Sequence, residues 1–149
     1  MKLRRGLFVL AAVIITSAVG YKQNNLVKVL GEVEYGVDLA FGRRVVSSGH
    51  TDDHINLHAV DARGDTRYAA VRDDNAFFYI DLGGVERVGK VVIDWEAAYA
   101  SEYLLQMSMD AVTWTTVATV TKTNSDIDEI VFPKWIKTQF VKFQGVSRA

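Results

Sequence analysis

No cysteine occurs among the 149 residues, which removes disulfide scaffolds, thiolate zinc sites, iron–sulfur clusters and thiol nucleophiles together. One proline and 11 glycines exclude collagen-like and proline-rich linker sequences. Charge of one sign is also missing: 17 Lys+Arg against 18 Asp+Glu leave a formal net charge of −1. With a pI near 6.3, no strong basic field exists to hold a phosphate backbone, so nucleic acid is not an expected partner. G-x-S-x-G elbow, P-loop and dinucleotide fingerprint are all absent. The carboxylate pairs Asp52/Asp53, Asp73/Asp74 and Asp128/Glu129 are adjacent residues, which on a strand point to opposite faces rather than at one scissile bond. Enzyme is therefore rejected as the primary reading. What is present is ordinary globular usage, 49% hydrophobic and 23% charged, in a chain of one-domain length.

Lys2, Arg4 and Arg5 precede a charge-free run from Leu7 to Gly20. A basic start, a short apolar stretch and small residues at Ala18 and Gly20 read as a secretory signal over residues 1–20, with cleavage after Gly20. The alternative is an uncleaved N-terminal anchor, although the run is shorter than the ~20 residues that span a bilayer. Only in that case is a membrane an expected partner. Cleavage would leave 14 basic against 18 acidic groups. Residues 21–36 read as a lead-in segment of unclear structure, and residues 37–149 as the domain.

From Val37 onward the hydrophobic pattern alternates with period two. Ala76 to Leu82 is rich in aromatic and β-branched residues and halts at Gly83-Gly84; Val88 to Trp95 follows. Tyr103, Leu105, Met107 and Met109 share one parity and so one face. After Asp110-Ala111, Val112, Trp114, Ala118 and Val120 point one way, which assigns Trp114 to the core. Ile127 to Phe132 and Ile136 to Phe143 complete the series, separated by Pro133-Lys134, and Trp135 at that turn is expected as an exposed tip. Strands every 8–14 residues without an amphipathic helix predict an all-β, antiparallel sandwich.

Several residues have the chemistry of a binding site. His50, His54 and His58 fall at i, i+4 and i+8. On a helix that spacing would align three imidazoles for zinc, but the Ser47-Ser48-Gly49 surroundings read as loop. On a loop, His50 and His54 can donate to or accept from hydroxyls. Arg72-Asp73-Asp74-Asn75 offers planar donors and acceptors, with a surface pair between Arg72 and Asp74 as the plainer reading. Trp95 and Tyr99 read either as an aromatic shelf for a ligand or as core.

The ordered set Asp38-Leu39-Ala40-Phe41-Gly42-Arg43 to Ser47-Ser48, Ala59-Val60-Asp61-Ala62-Arg63-Gly64-Asp65-Thr66-Arg67-Tyr68, Phe78-Tyr79-Ile80-Asp81-Leu82-Gly83, Val91-Val92-Ile93-Asp94-Trp95-Glu96-Ala97-Ala98-Tyr99-Ala100, Ser108-Met109-Asp110, Trp114 and Phe140-Val141-Lys142-Phe143 resembles the F5/8 type C (discoidin-like) domain. The resemblance is to its bacterial branch, the family 32 carbohydrate-binding modules, and covers about three quarters of the chain. It implies a galactose-binding-like jelly roll with its ligand site on loops at one end and a non-catalytic role in a secreted protein. Read with the residues above, it leads to the expectation of a sugar site with His50, His54, Arg72 and Asn75 for hydroxyls and Trp95 or Tyr99 as platform. It also implies a structural Ca²⁺ on Asp61 and Thr66, with His58 and Arg63 as carbonyl donors and Asp65 as a further carboxylate; an Asx-type turn without metal is the alternative. The sequence departs from the family at Ala62 and Tyr68. It also stops before the family's closing strand, with its Trp or Tyr followed by Glu, which predicts an open sheet edge and removes one family calcium ligand.

The resulting expectation is an extracellular, monomeric module whose partner is a mono- or oligosaccharide. A protein- or membrane-adhesion domain, or an inactive fragment of a secreted glycoside hydrolase, are the competing readings.

Overall fold

The computed structural model describes residues 9–18 and 35–149. The basic residues of the expected export signal and most of the lead-in segment lie outside the described residues. Eight strands make one antiparallel sheet that folds over into the expected sandwich: β1 (Val9–Ala18), β2 (Tyr35–Asp38), β3 (Arg44–Ser47), β4 (Tyr68–Ala69), β5 (Phe77–Trp95), β6 (Ala100–Ser108), β7 (Thr115–Thr121) and β8 (Asp128–Arg148). A single 3-10 turn, Asn56–Ala59, interrupts the loops among the described residues.

Two strands are longer than the sequence pattern suggests. Gly83-Gly84 and Pro133-Lys134 read as turns between separate strands, yet β5 and β8 each run through them. Their pairing shows why. Between the pairs Asp81↔Phe140 and Glu86↔Thr138 the extra residues lie on β5, and between Val88↔Ile136 and Lys90↔Val131 they lie on β8. Two bulges on facing strands thus bend the ladder from one layer of the sandwich into the other, and proline without its N–H is tolerated at such a bulge. Gly83 takes φ +83, and its N–H is held by Asp81 Oδ1 at 2.9 Å.

β1 pairs antiparallel with the second half of β5, from Leu10↔Trp95 to Ser17↔Val88, and also with β2 and β4. The run that reads as an export signal or anchor is thus a strand along β5. Over Val88–Trp95 this pairing covers an edge of β5.

The interior follows the period-two alternation. Ile80, Leu82, Val88, Val91 and Ile93 of β5 meet Tyr103 and Leu105 of β6 and Val141 and Phe143 of β8. Met109, grouped by parity with Met107, instead lies in the turn and is exposed. The inward assignment of Val112 and Trp114 is corrected too. β7 begins only at Thr115, Val112 is 80% exposed, and Trp114 packs on the outer face against Tyr79 at 5.5 Å. The Asp110 carboxylate accepts from the Val112 and Thr113 N–H groups and so extends the turn beyond Asp110-Ala111.

At one end of the core a single carboxylate gathers four elements. Asp128 Oδ2 accepts from Trp95 Nε1 at 2.6 Å and from the Tyr103 hydroxyl at 2.8 Å, while Oδ1 meets Lys122 Nζ at 2.8 Å. The ammonium lies over the Trp95 ring, 5.2 Å from its centroid. Burial, reinforced by the neighbouring carboxylate, pushes the Tyr103 hydroxyl far above the ordinary tyrosine value, which keeps it a donor. Removing one member of such a pair strands the other without its partner. Asp128→Ala is therefore expected to cost about 3 kcal/mol, read as a lower urea midpoint with an unchanged slope.

Candidate functional site

The candidate residues gather at one end of the sandwich because three segments are tied together there. The Ser48 N–H donates to the Phe77 carbonyl and the Phe77 N–H returns to Ser48 Oγ, at 2.9 and 3.0 Å. His50 bridges Ala70, and the His54 carbonyl accepts from the Ala69 N–H. Residues 48–54 thus run beside residues 69–77. The third segment is the end of β8, where Gln144 Nε2 donates to the Asn75 carbonyl and Arg148 Nε to Asp74 Oδ1 at 2.6 Å.

His50, Arg72 and Asn75 are exposed on this rim and His54 is half-buried. The histidines do not share a helix face: His50 is in a bridge, His54 in the loop and His58 on the 3-10 turn, with Nδ1 3.3 Å from the Arg67 carbonyl. No group of three metal-ligating His, Cys, Asp or Glu side chains occurs among the described residues. Among the described residues Asp74 pairs with Arg148 and not with Arg72. The Arg72 guanidinium is left on the rim.

Trp95 requires a correction. At 6% exposure, packed on Tyr103 and Phe143 and bonded to Asp128, it is core and cannot stack on a ligand. Beneath the rim, Trp95, Ala70, Ala76 and Phe77 enclose a crevice of about 10 Å³, too small for a sugar ring. Half-buried Tyr99 is the aromatic of the pair with an accessible edge. Its carbonyl accepts from the Ala149 N–H beside Arg148, and Lys122 Nζ lies 5.8 Å from its ring. The rim is acidic, with Asp52, Asp53 and Asp73 exposed on it. The adjacent carboxylates themselves were the signal for it.

The loop from Ala59 to Tyr68 closes on itself. Both Asp61 oxygens accept from Thr66 Oγ1, at 3.0 and 2.8 Å, and the Arg63 carbonyl lies 3.3 Å from the same hydroxyl. The Arg63 N–H donates to Asp61 Oδ1, the Asx turn of the plainer reading. Asp61, Thr66 and the Arg63 carbonyl therefore converge as hard oxygen donors. Asp65 turns away into a bidentate bond from Arg63, whose guanidinium holds its carboxyl below the usual range. Tyr68 anchors the loop's end by donating its hydroxyl to the Gly49 carbonyl at 2.8 Å.

The family model of the F5/8 type C domain matches residues 44–149. Among solved structures, chitosan-binding module 1 of a chitosanase/glucanase from Paenibacillus sp. IK-5 is 33% identical, with 74% of this chain and 87% of that module covered at a TM-score of 0.69. Module 2 of the same enzyme, solved in complex with chitotriose, is 32% identical over 74% of this chain and 88% of that module, with a TM-score of 0.70. The CBM32 of AlyQ, in complex with 4,5-unsaturated mannuronic acid, shares the fold at 17% identity and a TM-score of 0.62, over 73% and 86% of the two chains. No curated protein matches the chain.

Gly49 sets how closely the rim segments approach. Its φ is +144, and a Cβ there would stand 2.8 Å from Val71 Cγ1. Gly49→Ala is expected to cost about 1–3 kcal/mol and to shift the backbone resonances of residues 69–77, measured by a thermal melt and amide NMR.

Proposed function

Because the chain belongs to the F5/8 type C domain family, we propose that it is a non-catalytic carbohydrate-binding module whose site is the rim formed by residues 48–54, 71–76 and Tyr99. The observation that carries this reading is the juxtaposition, on a scaffold tied at Ser48–Phe77 and Asp74–Arg148, of exposed His50, Arg72 and Asn75 with half-buried His54 and Tyr99. Imidazole, guanidinium and amide groups match the paired donors and acceptors of sugar hydroxyls, and an accessible tyrosine edge offers an apolar surface to the ring. The crevice below the rim is too small for a sugar, so the ligand rests on the loops, an arrangement suited to weak, reversible capture of exposed sugars.

The exposed carboxylates Asp52, Asp53 and Asp73 favour a cationic sugar. Two modules about one third identical to the chain are chitosan-binding, which makes glucosamine oligomers the first ligands to test. An extracellular setting, which membership of this family supports, accords with this function. His54→Ala and Arg72→Ala are each expected to weaken chitotriose binding by about tenfold, the loss of one charge-assisted or well-placed hydrogen bond. Calorimetric titration measures this, and unchanged affinity in both variants would move the site elsewhere on the fold.

Calcium is the second part of the proposal. Ca²⁺ takes six to eight oxygens; Asp61, Thr66 and the Arg63 carbonyl would supply the loop's share, and the His58 carbonyl is the further candidate from the preceding turn. Bound there, the ion would stiffen the loop that ends on Tyr68 and Gly49 and so hold the rim. Millimolar calcium is expected to raise the melting temperature and EDTA to reverse it, with Asp61→Asn abolishing the response. An identical melt with calcium and with EDTA would leave the loop as a metal-free Asx turn.

A further inference from the structure

The bulged corner where β5 and β8 pass between the layers carries a second set of exposed groups. In that ladder Arg87 stands directly opposite Lys137. Like charges in facing positions repel, and proteins ordinarily avoid them or bridge them with a carboxylate. No ion pair or hydrogen bond holds either side chain among the described residues, where the ion pairs are Arg63–Asp65, Lys90–Glu129, Lys122–Asp128 and Arg148–Asp74. Beside the pair, the β8 bulge that contains Pro133 brings Lys134 and Trp135 to the surface, and the indole is 42% exposed. Next to it in the chain, Ile136 and Thr138 turn inward, Thr138 with 1% exposure, which fixes the opposite parity of Trp135 and Lys137 toward solvent. Arg87, Lys134, Trp135 and Lys137 together line a depression of about 340 Å³.

We propose that this corner is a second glycan-binding site, specific for an acidic polysaccharide bearing carboxylate or sulfate groups. Trp135 supplies the flat face on which a sugar ring packs, and Arg87, Lys137 and Lys134 pair with its anionic substituents. An anion placed between Arg87 and Lys137 would relieve their mutual repulsion, so binding is coupled to the removal of a strain the free protein carries. A concave seat with the indole more than half covered suits a ring lying flat against it better than a side chain plunging into a bilayer, which favours glycan over lipid headgroup. The corner is separate from the rim: Lys137 and Gln144 are divided along β8 by roughly 23 Å of extended strand. The two sites also carry opposite charge.

The test titrates the full chain with polygalacturonate, dextran sulfate and uncharged dextran, and in parallel with vesicles of phosphatidylcholine containing phosphatidylglycerol. Binding to at least one of the two polyanions but not to dextran is expected, weakening as salt rises. Arg87→Gln with Lys137→Gln is expected to weaken it about tenfold or more, and Trp135→Ala about tenfold, while the melt of each variant stays cooperative. Polyanion binding that survives Trp135→Ala unchanged would mean charge attraction alone and overturn the site. So would binding to the vesicles without binding to either polysaccharide, or no binding to any polyanion. Chitotriose titration of the same variants separates the two sites: retained rim binding with lost polyanion binding supports the corner. A rim that fails to bind chitotriose in every form leaves the corner result standing on its own.

Discussion

One carboxylate holds one end of this sandwich together. Asp128 opens β8, and its two oxygens reach the end of β5 through Trp95, the middle of β6 through Tyr103 and the loop after β7 through Lys122. Lys122 and Asp128 are 6% and 16% exposed at their side chains, so the charges are nearly out of water. They are tolerated because the remaining lone pairs are satisfied by an indole and a phenol. Trp95, Tyr103 and Phe143 then stack around the same point, with centroid separations of 4.9 to 5.8 Å. The rim rests on this block. Tyr99 follows Trp95 in the chain, and Arg148, which clamps Asp74, lies opposite Ala100.

The dependence explains how the roles of Trp95 and Tyr99 divide. A tryptophan at a strand end reads equally well as shelf or core, since alternation fixes which face it takes but not what covers that face. The deciding partner, Asp128, is far away in sequence and reads there as half of a surface carboxylate pair with Glu129. Its neighbour does lie outward, with Glu129 Oε2 3.4 Å from Lys90 Nζ. Two adjacent acids thus have opposite fates because strand parity separates them.

Much of the rest was legible. The parity of Tyr103, Leu105 and Met107 was read from the sequence and the residues are buried, because a half-buried strand leaves little freedom in which residues alternate. The sandwich and the exposed Trp135 were readable for similar reasons, the latter because a proline in a strand marks a bulge, where side chains leave the regular ladder. Corners were not. Gly83-Gly84 and Pro133-Lys134 carry the composition of a hairpin turn, and only pairing between distant strands distinguishes a reversal from a bulge that bends one strand through two layers. Val112 and Trp114 were misplaced for a related reason, since a turn widened by side-chain bonds from Asp110 delays the strand to Thr115. The pairing of β1 along β5 was hidden as well: an apolar run of that length satisfies an export signal, an anchor and a strand alike.

The bends have a consequence for how charge is displayed. A flat hairpin would place Arg87 and Lys137 in an ordinary ladder, where their repulsion could be avoided by any neutral substitution on either strand. Opposing bulges instead hold the pair beside an indole, where with Lys134 they line one depression. At the other end the Asp128 block and the Arg148 clamp fix loops whose exposed acids outnumber their exposed bases near Arg72. The near-zero net charge of the whole chain thus conceals two local patches of opposite sign. On the two proposed sites, the rim would take a cationic sugar and the corner an acidic polymer without either field cancelling the other, because the separation of the two exceeds the ~8 Å screening length at physiological salt.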